Sequence, residues 1–111
     1  MEEHVQLLAD WLNGHTGGTI VIEKQELEDR DKIYFKLERV DYRDAVDVID
    51  DYLDSALILH GTGRTMNADG ELVSLPLQSY EIAVSGLAFT SADETRVQAQ
   101  TDRAKYTLAL E

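Results

Sequence analysis

Six aspartates fall within fourteen residues: Asp41, Asp44, Asp47, Asp50, Asp51 and Asp54, with Arg43 the only cation among them. Carboxylates at this density can hold a divalent cation, face a basic partner or simply meet water. A Ca²⁺ loop is excluded by spacing, since it needs alternating ligands and a glycine at its sixth position. Neighbours at i,i+3 and i,i+4 instead stack the acids along one side of a helix. Each like-charge pair there costs roughly 0.2–0.5 kcal/mol. Burying each apolar side chain of the opposite face contributes roughly 1.5–3 kcal/mol, so the helix survives its own repulsion. Asp44, Asp47, Asp50, Asp51 and Asp54 are read as a solvated face that doubles as the candidate interaction surface, and no metal ligand is assigned.

The run His60-Gly61-Thr62-Gly63-Arg64-Thr65 invites a phosphate-loop reading. It lacks a third glycine in G-x-G-x-x-G register, lacks G-x-x-x-x-G-K-S/T, and precedes no expected helix. Glycine within a strand more often marks a bulge or a close approach. Arg64 remains a candidate contact for an anion or small ligand. His60 ends an apolar run beside it and Tyr80 comes from a later strand. These three residues form the candidate ligand-binding set.

Catalytic motifs are missing. His4, His15 and His60 lie far apart with no H-x-H or H-x-x-x-H pair, so a zinc site would need assembly from distant parts of the chain. The absence of cysteine removes disulfides, thiolate ligands and thiol catalysis. No G-x-S-x-G is present. Twenty-two acids guarantee accidental carboxylate pairs, so such pairs carry no information about acid–base chemistry. No catalytic residue and no cofactor is expected.

The 22 acids stand against 10 Lys and Arg, giving a formal charge of −12. Phosphate contacts need clustered cations, and here the cations are scattered along the sequence among acids. Nucleic acid and anionic membrane surfaces are therefore not expected partners. The expected partner is another protein or a second copy of the chain, as in a homodimer. The start, Met1-Glu2-Glu3-His4, lacks the basic and apolar runs of a secretory signal, so a cytoplasmic location is expected. The favoured reading is a small acidic intracellular domain that acts by protein contact or self-association without catalysis. The alternative is an anion- or small-ligand-binding domain, or a small enzyme, with its pocket near His60 and Arg64.

The elements that must position these residues can be read from periodicity. With 111 residues, 43% apolar and 29% charged, the chain is one domain. Val5, Leu8, Ala9 and Leu12 recur at helical spacing over residues 2–13, and Trp11 widens their face. Thr19 to Lys24 is β-branched and reads as a strand, and Gln25 to Asp31 as a loop. Lys32 to Val40 alternates, with Ile33, Phe35 and Leu37 opposite Tyr34, Lys36 and Glu38, and pairs with the first strand as a hairpin. Tyr34 is left on the outer face, where an interface would use it.

Over residues 42–54, Tyr42, Ala45, Val46, Ile49, Tyr52 and Leu53 fall on one helical arc, and Asp41 suits the N-cap. Beyond Ser55 the chain reads β. Leu57 to His60 is a strand, Asn67-Ala68-Asp69-Gly70 a turn, and Leu72 to Leu75 its return. Pro76 sits at a strand end or edge. Tyr80 to Val84 alternates, and Leu87 to Thr90 continues it past Gly86. Ser91 and Glu94 fit a capping box ahead of near-helical spacing at Val97, Thr101, Ala104 and Leu108, but the alternation of Ala104, Tyr106, Leu108 and Leu110 favours a turn at Ser91 to Thr95 and β structure to the end. The expected fold class is α+β: a mainly antiparallel sheet, with an N-terminal helix and the helix at 42–54 packed on one face.

Overall fold

The computed structural model describes residues 2–44, 55–75 and 78–111. Among these residues the fold is α+β, one N-terminal helix on an eight-stranded antiparallel sheet. Helix α1 spans Glu3–Asn13. The Glu2 side chain accepts from the His4 backbone N–H at its start, and Gly14 closes its end. It buries Val5, Leu8, Ala9 and Leu12, the four residues whose spacing predicts it.

Strands β1 (Thr19–Glu26) and β2 (Asp29–Arg43) form the expected hairpin, but a tighter one than expected. Most of the stretch read as a loop is strand, and only Leu27 and Glu28 separate the two. Leu27 turns the chain with φ 55° and is 91% exposed. A positive φ at the first central position is what a two-residue turn demands to match strand twist. Without the usual glycine or asparagine there, the sequence hides it.

Strand β3 (Ala56–Met66) pairs along β2, and β4 (Leu72–Ser74) and β5 (Ser79–Ala83) share its other edge. Strands β6 (Ala88–Ala92), β7 (Arg96–Gln100) and β8 (Lys105–Leu110) form a meander joined through β8 to β1. The order is β4-β3-β2-β1-β8-β7-β6.

The second expected helix is corrected at its start. Asp41, Tyr42 and Arg43 are the last residues of β2, not an N-cap and a first turn. They pair with Ile58, Leu57 and Ala56 of β3. A bulge at Glu38 shifts the register, so that Val40 and Tyr42 then meet Leu59 and Leu57 on the core side. Period-two alternation with a distant strand thus overrides the helical spacing of Tyr42. Residues 45–54, where the rest of that helix is expected, lie outside the described residues, as does Pro76.

The sheet is curled, and one connection requires it. Strands β5 and β6 sit towards opposite edges of the order, yet only Val84 to Leu87 join them. Laid flat, the strands from β5 to β6 would span about 29 Å at ~4.8 Å per neighbour. The link from Ala83 to Ala88 reaches about 18 Å at most. The edges must therefore approach each other, and Val84 and Leu87 are buried in the core as they cross. The Asp102 N–H donates to Ser85 O at 2.9 Å, tying the crossing to the β7–β8 turn. Inside the curl one cluster gathers α1 with Ile20, Ile22, Phe35, Leu37, Leu57, Leu59, Ile82 and Leu108.

Candidate functional site

The residues expected to form a ligand site fall on two faces of the sheet. On β3, Leu57 and Leu59 point into the core, so His60 and Arg64 point outward. Tyr80 of β5 stands opposite Leu59 and packs against the core near Phe35, with ring centroids 6.5 Å apart. Burial pushes the Tyr80 phenol well above its ordinary range, and Tyr106 and Asp31 add to this. Burial likewise raises the Tyr106 phenol, with Glu26 contributing. The structure therefore brings His60 and Arg64 to one face and gives Tyr80 to the interior.

His60 has a local partner. Its Nε2 is shielded from water and lies 2.8 Å from Asp41 Oδ2, an ion-pair distance without hydrogen-bond alignment. Arg39 reaches the same carboxylate oxygen at 3.4 Å. Arg43 pairs with Glu81 across β3. Gly61 and Gly63 serve packing. A Cβ at Gly61 would stand 1.9 Å from Lys36 O, and one at Gly63 would meet the Leu75 and Phe35 side chains at 3.1 and 3.3 Å. Phosphate binding is not needed to explain either glycine. Of the acidic surface, Asp44 directly follows β2, while Asp47, Asp50, Asp51 and Asp54 lie outside the described residues. Among the described residues no three His, Asp or Glu side chains gather as a metal site. No helix there is long and apolar enough to cross a membrane.

A different site emerges on the outer face, over β2, β1, β8 and β7, where a groove of about 610 Å³ opens. Strand register builds it in rows. Arg30, Gln25, Lys105 and Gln100 stand side by side on four successive strands. In the next row are Lys32, Glu23, Thr107 and Gln98. Arg96 adds a further cation from β7. Four of the chain's ten basic residues (Arg30, Lys32, Arg96 and Lys105) thus line the groove from the outer face, against the acid Glu23, while Lys24 and Asp31 share the core-side row of Ile22 and Ile33. Lys32 lies 3.7 Å from Glu23 and Lys24 3.8 Å from Glu26. Arg30 and Lys105 make no ion pair among the described residues.

The whole chain, residues 1–111, matches the family described as YmzB-like protein. It belongs to the YmzB-like family. A relative from Bacillus subtilis (strain 168), carrying the name Uncharacterized protein YmzB, is 33% identical over 111 residues, which covers 94% of this chain and 92% of the relative. No solved structure matches.

In this YmzB-like chain the groove escaped sequence reasoning for a definite reason. Cations far apart in sequence look scattered, and reading Gln25 to Asp31 as a loop left Arg30 without a face. The available signal was period-two spacing: Arg30/Lys32, Glu23/Gln25, Gln98/Gln100 and Lys105/Thr107 each keep polar groups on one side of a strand.

A second concavity, about 400 Å³ and apolar, lies on the opposite side of β6 and β7, against α1. Leu7, Trp11, Phe89, Ala92 and Val97 line it, with Asp93 and Glu94 at its rim. The Trp11 indole N–H donates to Asp93 O at 3.0 Å, which fixes the ring. Hydrogen bonds from Thr95 N–H, Thr95 hydroxyl and Arg96 N–H hold the Asp93 carboxyl below its usual range.

Proposed function

We propose that this YmzB-like domain is a non-enzymatic cytoplasmic binding module whose outer groove holds an elongated, multiply charged anion. The observation carrying this reading is the concentration of four of the chain's ten basic residues on the outer face of one groove in a protein of net charge −12. Such a local reversal of sign attracts anions that the rest of the surface repels. Arg30 and Lys105 are separated by β1, so their strands lie about 10 Å apart, a span suited to several charges in line rather than one. Gln25, Gln98 and Gln100 offer amide donors, and Thr90 and Thr107 offer hydroxyls, between those charges.

Calorimetry with inorganic triphosphate and inorganic phosphate tests this. Saturable binding of triphosphate is expected, weaker for phosphate, weakening as salt rises. Arg30→Gln with Lys105→Gln should reduce it at least about tenfold. No saturable heat with triphosphate at low salt overturns the reading.

A second reading, self-association, is supported by the other end of the sheet. Met66, Leu72 and Val73 are 54%, 42% and 38% exposed, and strand β4 ends the sheet order. Exposed apolar edges favour pairing with another copy. Light scattering showing a monomer across micromolar concentrations retires it.

A further inference from the structure

Strand β6 ends the sheet order, so its outer edge has no strand partner among the described residues. An open edge presents backbone N–H and C=O groups ready to pair. Natural edges are blunted by charge, proline, short length or a bulge, and Ala88–Ala92 carries neither charge nor proline. Its one irregularity is a bulge between Phe89 and Ser91.

The apolar concavity adjoins this edge on the core side of the sheet. Leu7 is 51% exposed above it, while Phe89 and Val97 form its floor. Trp11 is already locked in place by Asp93, so the surface is formed in advance of binding. The surroundings are acidic. Asp93 and Glu94 sit at the rim, and Glu3 and Asp10 flank Leu7 at i−4 and i+3 on α1. Open edge, adjoining apolar hollow and acidic rim are the three parts of a strand-addition site: backbone pairing gives affinity and alternate side chains give selectivity.

We propose that the β6 edge receives an extended segment of a partner protein, apolar at the positions facing α1 and basic at its ends. The inward side chains cover Leu7, Trp11 and Phe89, and the basic ends meet Glu94 and Glu3. This surface lies on the opposite face of β6 and β7 from the anion groove and stands independently of it.

The probe is the heptapeptide Lys-Thr-Val-Thr-Leu-Thr-Lys, whose lysines share a face with its valine and leucine, titrated into the full chain and followed by Trp11 fluorescence and calorimetry. Saturable binding is expected, weakened about tenfold by Leu7→Asp, a change at an exposed position. A peptide with glutamate at both ends should bind more weakly still. Two further peptides carry N-methyl groups, one on the threonines and one on the valine and leucine. Neighbouring residues of a strand direct their N–H groups to opposite edges, so one methylated set must abolish binding and the other preserve it. Equal behaviour of the two methylated peptides, or no saturable binding of the parent peptide, overturns the proposal. So does light scattering that shows a dimer lost on Leu7→Asp, because a second copy would then occupy the edge.

Discussion

Asp41 Oδ2 stands 2.8 Å from His60 Nε2, across the ladder between β2 and β3. The contact exists because Asp41 lies in a strand, where its side chain reaches outward beside His60. It also shields a ring nitrogen that has no hydrogen-bond partner. Removing the carboxylate leaves that nitrogen with no acceptor in reach. Asp41→Ala should lower stability by about 1 kcal/mol, and Asp41→Asn by less than half of that. Urea unfolding at fixed salt measures both. An unchanged midpoint for Asp41→Ala would show that the contact contributes nothing.

Gly61 permits β2 and β3 to approach at Lys36. Any Cβ there collides with a backbone oxygen rather than a movable side chain, so the two strands must separate. Gly61→Ala should cost about 3 kcal/mol, against about 1 kcal/mol for Gly63→Ala, whose nearest neighbour is the Leu75 methyl. Equal costs for the two variants would contradict this account.

Much of the fold is legible in the sequence where one period dominates. Helix α1 follows from Val5, Leu8, Ala9 and Leu12, and β2 from Ile33, Phe35 and Leu37. The β reading of the last twenty residues also matches, with Asp93 turning the chain between β6 and β7. Tyr42 and Asp41 misled because their spacing satisfies both a helix and a strand, and only pairing with Leu57 and Ile58 decides. Leu27 misled because a residue with no turn preference occupies a left-handed position. The groove was invisible for a different reason. Arg30, Lys32, Arg96 and Lys105 become neighbours only once β1 and β8 pair, and no local pattern announces that pairing.

The buried tyrosines impose an alkaline limit. Tyr80 and Tyr106 keep their protons in the fold beyond the pH at which an unfolded tyrosine loses its own. The unfolded chain therefore binds fewer protons above about pH 10, and stability falls as pH rises from there. Below that pH the contribution is fully present. Tyr80→Phe should flatten the decline between about pH 10 and 11. A wild-type chain whose thermal midpoint is level over that range would be inconsistent with burial of both phenols.

Self-repulsion sets the response to salt. With net charge −12, raising NaCl from about 0.02 to 0.3 M should lift the melting temperature by about 3 °C, because screening relieves long-range repulsion. A melting temperature that falls with salt would mean that ion pairs such as Lys32–Glu23 outweigh the net charge.

The ladder that sets Ile20 beside Leu110 has a consequence for synthesis on the ribosome. Strand β1 emerges from the exit tunnel well before β8, which covers its second edge. Until then the β6–β7 pair has no link to β1, and the nascent chain displays half a sheet with bare apolar flanks. Nascent chains halted before Lys105 should accordingly be the ones that chaperones hold and proteases cut.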